Sequence, residues 1–235
     1  MNGKYETGYT IRGKPVPSTA INKMEETNLS EDLSSKLERD GYLLLRKVYD
    51  AHEVIEARKK VLWHLHKVGE VKDPYEAGIF SGESNRRYFY PNTQKLGEFW
   101  QKVSEMEELR RVINGEKISK VMNTIFAEKA DHFSFAWLRA VVQGKASPVH
   151  LDHPYMNRGT DKLLTCWTPL SQIAEDEGTL YVMQQSHLWS DITDKFIGLD
   201  IDASPSRPGH IEEVPLDLVV RKKSVFLTSN FDPGD

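Results

Sequence analysis

The sequence predicts an α+β fold with a helical first half, at about residues 29–130, and a strand-rich second half, at about residues 131–235. Apolar residues recur at helical spacing in the first half, as in Leu96, Phe99 and Val103. The second half instead has short β-type runs separated by polar, Gly-containing or Pro-containing turns. A run of strands of this kind favours a sandwich or a jelly roll.

Composition limits the class of protein. With 235 residues, the chain is long enough to bury a sizeable core. Charges of both signs are mixed and the net charge is -4, which gives no support for a nucleic-acid or membrane surface as partner. The single cysteine, Cys166, excludes an internal disulfide framework and is typical of a reducing compartment. We therefore expect a cytoplasmic protein whose partner is a small molecule.

The chain is expected to form one domain over residues 29–235, preceded by an arm. Residues 1–28 mix Gly, Pro, Thr and Lys with little periodicity, which predicts an extended N-terminal arm. Residues 69–92 have a similar loop-like composition and include Arg86 and Tyr88. Arginine next to tyrosine suits the binding of an anionic ligand, and a plain mobile loop is the alternative.

Helix caps and apolar spacing predict the elements of the first half. Ser30 predicts the start of a short helix that ends at Gly41, and a strand is expected over residues 42–48. Asp50 predicts the cap of a longer helix. Further helices with buried apolar faces are expected between about residues 94 and 127.

Five β-type runs are expected in the second half, with a long loop over residues 186–213. The predicted strands are Phe133–Val142, Leu163–Leu170, Gly178–Met183, Leu216–Val220 and Ser224–Ser229.

A His-x-Asp motif, formed by His150 and Asp152, is the candidate metal site. In an extended chain, residues two apart project to the same side, so this imidazole and this carboxylate would share one wall. One more histidine would complete the two-His-one-carboxylate set of non-haem iron(II) oxygenases. An ordinary His/Asp hydrogen bond at a strand end is the alternative interpretation.

Four stretches together resemble the phytanoyl-CoA dioxygenase-like family of iron(II)- and 2-oxoglutarate-dependent oxygenases. The likeness covers about residues 38–235 and is best from about 133 to 187. The stretches are Asp40-Gly41-Tyr42-Leu43-Leu44-Leu45-Arg46, His150-Leu151-Asp152, Trp167-Thr168-Pro169-Leu170 and Glu177-Gly178-Thr179-Leu180-Tyr181-Val182-Met183-Gln184-Gln185-Ser186-His187.

The resemblance implies a double-stranded β-helix, or jelly roll, flanked by N-terminal helices. It also implies that His150 and Asp152 bind Fe(II), that 2-oxoglutarate and dioxygen are co-substrates, and that a small metabolite is hydroxylated. Trp167 would line the pocket, with an ordinary core tryptophan as the alternative. The resemblance suggests Arg139, and more weakly Arg86 and Tyr88, as co-substrate contacts; a surface salt bridge is the alternative role of Arg139.

The sequence departs from the family pattern at its last residues. Phe231-Asp232-Pro233-Gly234-Asp235 predicts a turn, and the family places its third iron-binding His and its 2-oxoglutarate-binding Arg after such a turn. We therefore expect a chain truncated at the C-terminus, without the final barrel strands. His153 and His210 are the candidate substitutes for the third ligand.

Two other functions fit the same motifs. One is a non-catalytic jelly roll that acts as a binding or interaction module. The other is a cupin-type metal site that uses His150 with His153 or His210. The sequence leaves the substrate and the oligomeric state open.

Overall fold

The computed structural model describes residues 9–141 and 146–235, and helices dominate its first part. The α-helices are α1 (Leu33–Asp40), α2 (Ala51–Lys67), α3 (Arg86–Phe89), α4 (Thr93–Ser104), α5 (Glu107–Ile113), α6 (Glu116–Phe126), α7 (His153–Met156), α8 (Ser190–Thr193) and α9 (Pro215–Lys222). Short 3-10 turns lie at Ser18–Ala20, Tyr75–Ala77 and Ser186–Leu188. No helix in the described ranges has both the length and the apolar character needed to cross a membrane.

The caps of the first two helices follow the expected chemistry. The carboxylate of Asp50 accepts hydrogen bonds from the backbone N–H groups of His52 and Glu53, which confirms the predicted start of α2. Helix α1 ends at Gly41, whose φ of 78° is left-handed and favours glycine. Its cap is Asp32, two residues after the predicted Ser30, because Asp32 accepts from the N–H of Ser35.

The helical half is built around α2. Its apolar face packs on α5 and α6 on one side and on α4 on the other, as the helical spacing predicted. The fully buried side chains at these contacts are Val54, Ala57, Leu65, Val103, Leu109 and Val112.

Across residues 9–141 and 146–235, the strands are short and form four small sheets. They are β1 (Tyr9–Ile11), β2 (Lys14–Val16), β3 (Ile21–Lys23), β4 (Glu26–Thr27), β5 (Leu44–Leu45), β6 (Val149–His150), β7 (Val182–Met183), β8 (His210–Glu212) and β9 (Phe226–Thr228). The pairs are β1 with β2, β4 with β5 and β6 with β8, and a three-stranded sheet has the order β3-β9-β7. These sheets do not amount to a double-stranded β-helix, so the jelly roll stays a family-level expectation.

Residues 9–27 are part of the fold rather than a free arm. Strand β3 lies parallel to β9, and the backbone N–H of Met24 donates to the carbonyl of Thr228 at 2.8 Å. Ile11, Val16 and Ala20 are buried in the core beneath this sheet. The first segment therefore pairs one edge of β9, and β7 pairs the other.

The strand predictions of the second half are mostly wrong. Residues 133–141 and 163–170 are in neither helix nor strand, and Val142 lies outside the described residues. Only the last two residues of the expected strand Gly178–Met183 are paired. Residues 216–220 lie in α9, because Pro215 begins a helix that buries Leu218.

The last predicted strand and the turn after it are confirmed. Strand β9 lies within the expected Ser224–Ser229 run, and its three residues are buried. The chain then turns, with the backbone N–H of Asp235 donating to the carbonyl of Asp232 at 3.1 Å.

Candidate metal centre

His150 and Asp152 face each other at the end of β6. The Nε2 atom of His150 lies 3.3 Å from Oδ1 of Asp152, and their side chains are 28% and 32% exposed. Two ligand atoms about 2.1 Å from one metal ion, at right angles to each other, lie about 3 Å apart. The two atoms therefore have nearly the separation that adjacent ligands of an octahedral metal need.

The side chains of His150 and Asp152 are brought together by a turn, and not by the alternation of side chains along a strand, as was predicted. Strand β6 ends at His150, and Asp152 has helical backbone angles of −75° and −28° at the start of α7. Pro154, in the first turn of α7, suits a helix start because its ring fixes φ near the helical value. A strand-to-helix turn thus brings the two side chains together.

Hydrogen bonds orient the imidazole. The Nδ1 atom of His150 lies 2.7 Å from the carbonyl oxygen of Pro148, which can only accept, so Nδ1 carries the proton. In the neutral ring, the lone pair is then on Nε2, the atom that faces Asp152. A backbone carbonyl on the far nitrogen is the usual outer contact of a metal-binding histidine.

Each member of the pair favours the charged form of the other. The hydrogen bond with Asp152 raises the pKa of His150, against an opposing effect of burial. The hydrogen bond with His150 lowers the pKa of Asp152, again against burial, and a hydrogen bond from Thr165 lowers it further. A divalent cation between the two groups would replace the shared proton, because both ligands bind metal in their deprotonated forms.

Arg139 lies close enough to the pair to affect its charges. Its charge lowers the pKa of both His150 and Asp152. Its guanidinium carbon stacks 4.2 Å from the ring centre of Trp137. No carboxylate within the described part of the chain forms a salt bridge with this arginine, so an exposed cation adjoins the candidate metal site.

Two neighbours of the pair were not predicted from the sequence. Tyr155 lies edge-on to His150, with ring centres 6.2 Å apart, and contacts Trp137 at the same separation. Thr165 reaches Asp152 from the 163–170 segment. A signal was present in the motif itself, because Tyr155 follows Asp152 by three residues and a helical turn brings such residues to one side.

The remaining predicted contacts are held in other environments. Trp167 packs edge-on against Phe231, with ring centres 4.8 Å apart, and is 36% exposed. The guanidinium of Arg86 pairs with the buried Glu70 and stacks 4.2 Å from Trp100. Tyr88 is 83% exposed on α3. The contacts of Arg86 with Glu70 and Trp100 give this arginine a structural role in the helical half. Its role in binding a co-substrate stays a prediction.

The two alternative histidines do not complete a metal site. The prediction that His210 lies in a loop is wrong. His210 is the first residue of β8, where its backbone pairs with that of His150. Its Nε2 is directed to Glu213 at 3.1 Å, while that of His153 lies 3.6 Å from Asp161. Within residues 9–141 and 146–235, no three His, Cys, Asp or Glu side chains form a group able to hold a metal ion.

Comparison with known proteins agrees with the resemblance found in the sequence. The family model of phytanoyl-CoA dioxygenase matches residues 37–216, which is more than half of the chain and includes the His150/Asp152 pair. Curated proteins and solved structures gave no match. On the extent of the family match, this chain belongs to the phytanoyl-CoA dioxygenase family, a family of Fe(II)- and 2-oxoglutarate-dependent oxygenases.

Proposed function

We propose that this protein is an Fe(II)- and 2-oxoglutarate-dependent dioxygenase that hydroxylates a small-molecule metabolite. The observation that carries the proposal is the 3.3 Å approach of His150 Nε2 to Asp152 Oδ1 in a member of this family. Iron held by these residues would supply the activation of dioxygen, with one oxygen atom passing to succinate as 2-oxoglutarate loses CO2 and the other hydroxylating a substrate C–H bond.

The two proposed ligands have distinct tasks. His150 presents Nε2 while the carbonyl of Pro148 holds the proton on Nδ1. Asp152 supplies an anionic oxygen, kept ionised by its contacts with His150 and Thr165. The partial exposure of both side chains leaves a path by which metal, co-substrate and dioxygen enter.

Arg139 is the proposed partner of a 2-oxoglutarate carboxylate. One end of the co-substrate chelates the metal, so its other carboxylate needs a cation nearby. Arg139 is exposed, stacked on Trp137 and close to both proposed ligands. Trp167 remains proposed as a pocket residue.

An anaerobic titration with Fe(II) tests the proposal. The wild-type chain is expected to bind Fe(II), and adding 2-oxoglutarate should produce the visible charge-transfer band of the keto acid chelated to protein-bound iron. His150→Ala and Asp152→Ala should abolish the band. A folded wild-type chain that gives no band would contradict the proposal and favour a non-catalytic binding module.

His153→Ala and His210→Ala are the matched controls. His153 lies three residues after β6, and His210 lies in β8, the strand that pairs with β6. Both variants remove an imidazole near the site, and both are expected to retain the band. Loss of the band in His210→Ala alone would instead support a cupin-type site, in which His210 turns from Glu213 toward the metal.

A further inference from the structure

Tyr155 lies between the metal pair and the segment that leads into β8. Its ring is perpendicular to the imidazole of His150, at an interplanar angle of 89°, and it meets Trp137 at 65°. Both arrangements are the edge-to-face geometry that aromatic pairs favour. One tyrosine therefore contacts a proposed metal ligand and the tryptophan on which Arg139 stacks.

Gly209 makes room for this tyrosine. A methyl group built on Gly209 would lie 2.6 Å from Cζ of Tyr155 and closer still to its hydroxyl oxygen. It would also lie 3.2 Å from Cδ1 of Ile201. The φ of Gly209 is not left-handed, so its backbone conformation does not require glycine. The contact with Tyr155 requires glycine because any side chain would occupy the space of the tyrosine ring.

The segment before Gly209 is fastened to α7 and its following turn. The backbone N–H of Ile201 donates to the carbonyl of Pro154 at 3.1 Å, and the amide of Asn157 donates to the carbonyl of Leu199 at 2.8 Å. Arg158 forms two hydrogen bonds of 2.7 Å with the carboxylate of Asp200. These contacts hold the start of the segment on α7, and Gly209 at its end directly precedes β8, which pairs with β6.

We infer that Tyr155, seated on Gly209, is a positioning residue that holds the imidazole of His150 in its metal-binding orientation. The inference rests on the proposed function of the His150/Asp152 pair. Pro148 and Asp152 each hold one ring nitrogen of the imidazole, and Tyr155 is a third contact, outside these two. The perpendicular ring of Tyr155 restricts tipping toward its side, much as outer contacts orient the ligands of other metal sites.

Gly209→Ala is the decisive variant, because it displaces Tyr155 without changing any residue of the pair. The tyrosine hydroxyl is the free end of a side chain and can move, so the fold should be kept. We expect Fe(II) affinity to fall about tenfold, at the lower end of the range for outer contacts of metal sites. Tyr155→Leu should cause a similar loss, and the double variant should lose no more than Tyr155→Leu alone.

Gly97→Ala is the matched control. Gly97 lies in α4, has no left-handed φ, and a methyl group there would meet nothing within 4 Å. This variant is expected to bind Fe(II) as the wild type does. Tyr155→Phe keeps the ring that meets His150 and should also bind nearly as well.

A metal-free measurement separates this inference from the proposed function. The aromatic ring of Tyr155 should displace the proton resonances of the His150 ring, so Gly209→Ala and Tyr155→Leu should change these chemical shifts in the metal-free protein. Gly97→Ala should not. Unchanged shifts in both site variants would overturn the positioning role, whether or not iron binds. If the two site variants change the His150 chemical shifts but the wild-type protein binds no iron, the positioning role stands and only the proposed function is contradicted.

Discussion

Arg46 and Asp235 form an ion pair that joins the end of β5 to the turn after β9. Nη1 of Arg46 lies 2.5 Å from Oδ2 of Asp235, whose side chain is only 5% exposed. The same guanidinium donates to the carbonyl of Asn230 and to the hydroxyl of Ser229. The side chain of Arg46 therefore connects two parts of the chain that are nearly two hundred positions apart in sequence.

Arg46→Met is expected to lower the free energy of unfolding by about 2–3 kcal/mol, because it leaves the buried carboxylate of Asp235 without a cation. Urea denaturation at neutral pH measures the change. Arg46→Met combined with Asp235→Asn should recover part of the loss, since no buried charge is then unpaired. Arg39→Met, at an exposed ion pair with Asp40, is the control and should change little. Simple additivity of the two single losses would contradict this explanation.

Arg139→Gln tests the proposed co-substrate contact. The KM for 2-oxoglutarate is expected to rise about tenfold or more, because a charge-assisted contact is lost. Fe(II) binding without 2-oxoglutarate should persist, since Arg139 is not a proposed ligand. Arg111→Gln, at the exposed pair with Glu107 on α5, should leave both quantities unchanged. An unchanged KM for 2-oxoglutarate in Arg139→Gln would show that this arginine does not contact the co-substrate.

Arg86→Met is expected to affect stability rather than co-substrate binding. The side chain pairs with the buried Glu70 and stacks on Trp100, so its loss should lower the free energy of unfolding by about 2 kcal/mol. The KM for 2-oxoglutarate should stay at the wild-type value. A raised KM with unchanged stability would instead restore Arg86 to the co-substrate site.

Glu175 should make a pH-dependent contribution to stability. Hydrogen bonds from Lys23 and then from Tyr9 lower its pKa below the ordinary value of 4.5, against an opposing effect of burial. A depressed carboxyl pKa stabilises the fold fully above the unfolded value and loses that effect as the pH falls through the folded value. Glu175→Gln should therefore be about 1 kcal/mol less stable at pH 7, with a difference that shrinks below pH 4.5.

Thermal unfolding between pH 3 and pH 7 measures this difference. Asp176→Asn is the control, because Asp176 is the exposed neighbour of Glu175 in sequence. Its stability should follow the wild type across the range. A Glu175→Gln difference that is constant with pH would show that packing, not charge, is the source.

Helices α1, α2 and α4 to α6 were predictable because their signals are local. Asp50, Gly41 and the apolar spacing of α2 act within one or two turns, and the structure has each of them in its expected role. Strands depend on partners far away in sequence, so the apolar runs at 133–141 and 163–170 gave no information on whether they pair. At 216–220, Pro215 favoured a helix over the β-type side chains.

The candidate site was predictable in part for the same reason. His150 and Asp152 are two residues apart, so a motif is enough to identify them. Tyr155 and Gly209 meet only because the segment before β8 folds back onto α7, and no sequence pattern marks that approach. Trp137 and Arg139 are neighbours in sequence, yet their orientation toward the pair depends on the fold.

The parallel pairing of β3 with β9 sets an order of events during synthesis. Ile21 has Phe226 as its partner, so β3 leaves the ribosome long before the strand it pairs with. At about 5–20 residues per second, this delay is on the order of ten seconds or more. Most of the buried core around α2 comes from residues 33–121, so the helical half can largely form by then. Strand β3 therefore lacks this partner until β9 has been made, and until then its backbone N–H and C=O groups on that edge are unpaired.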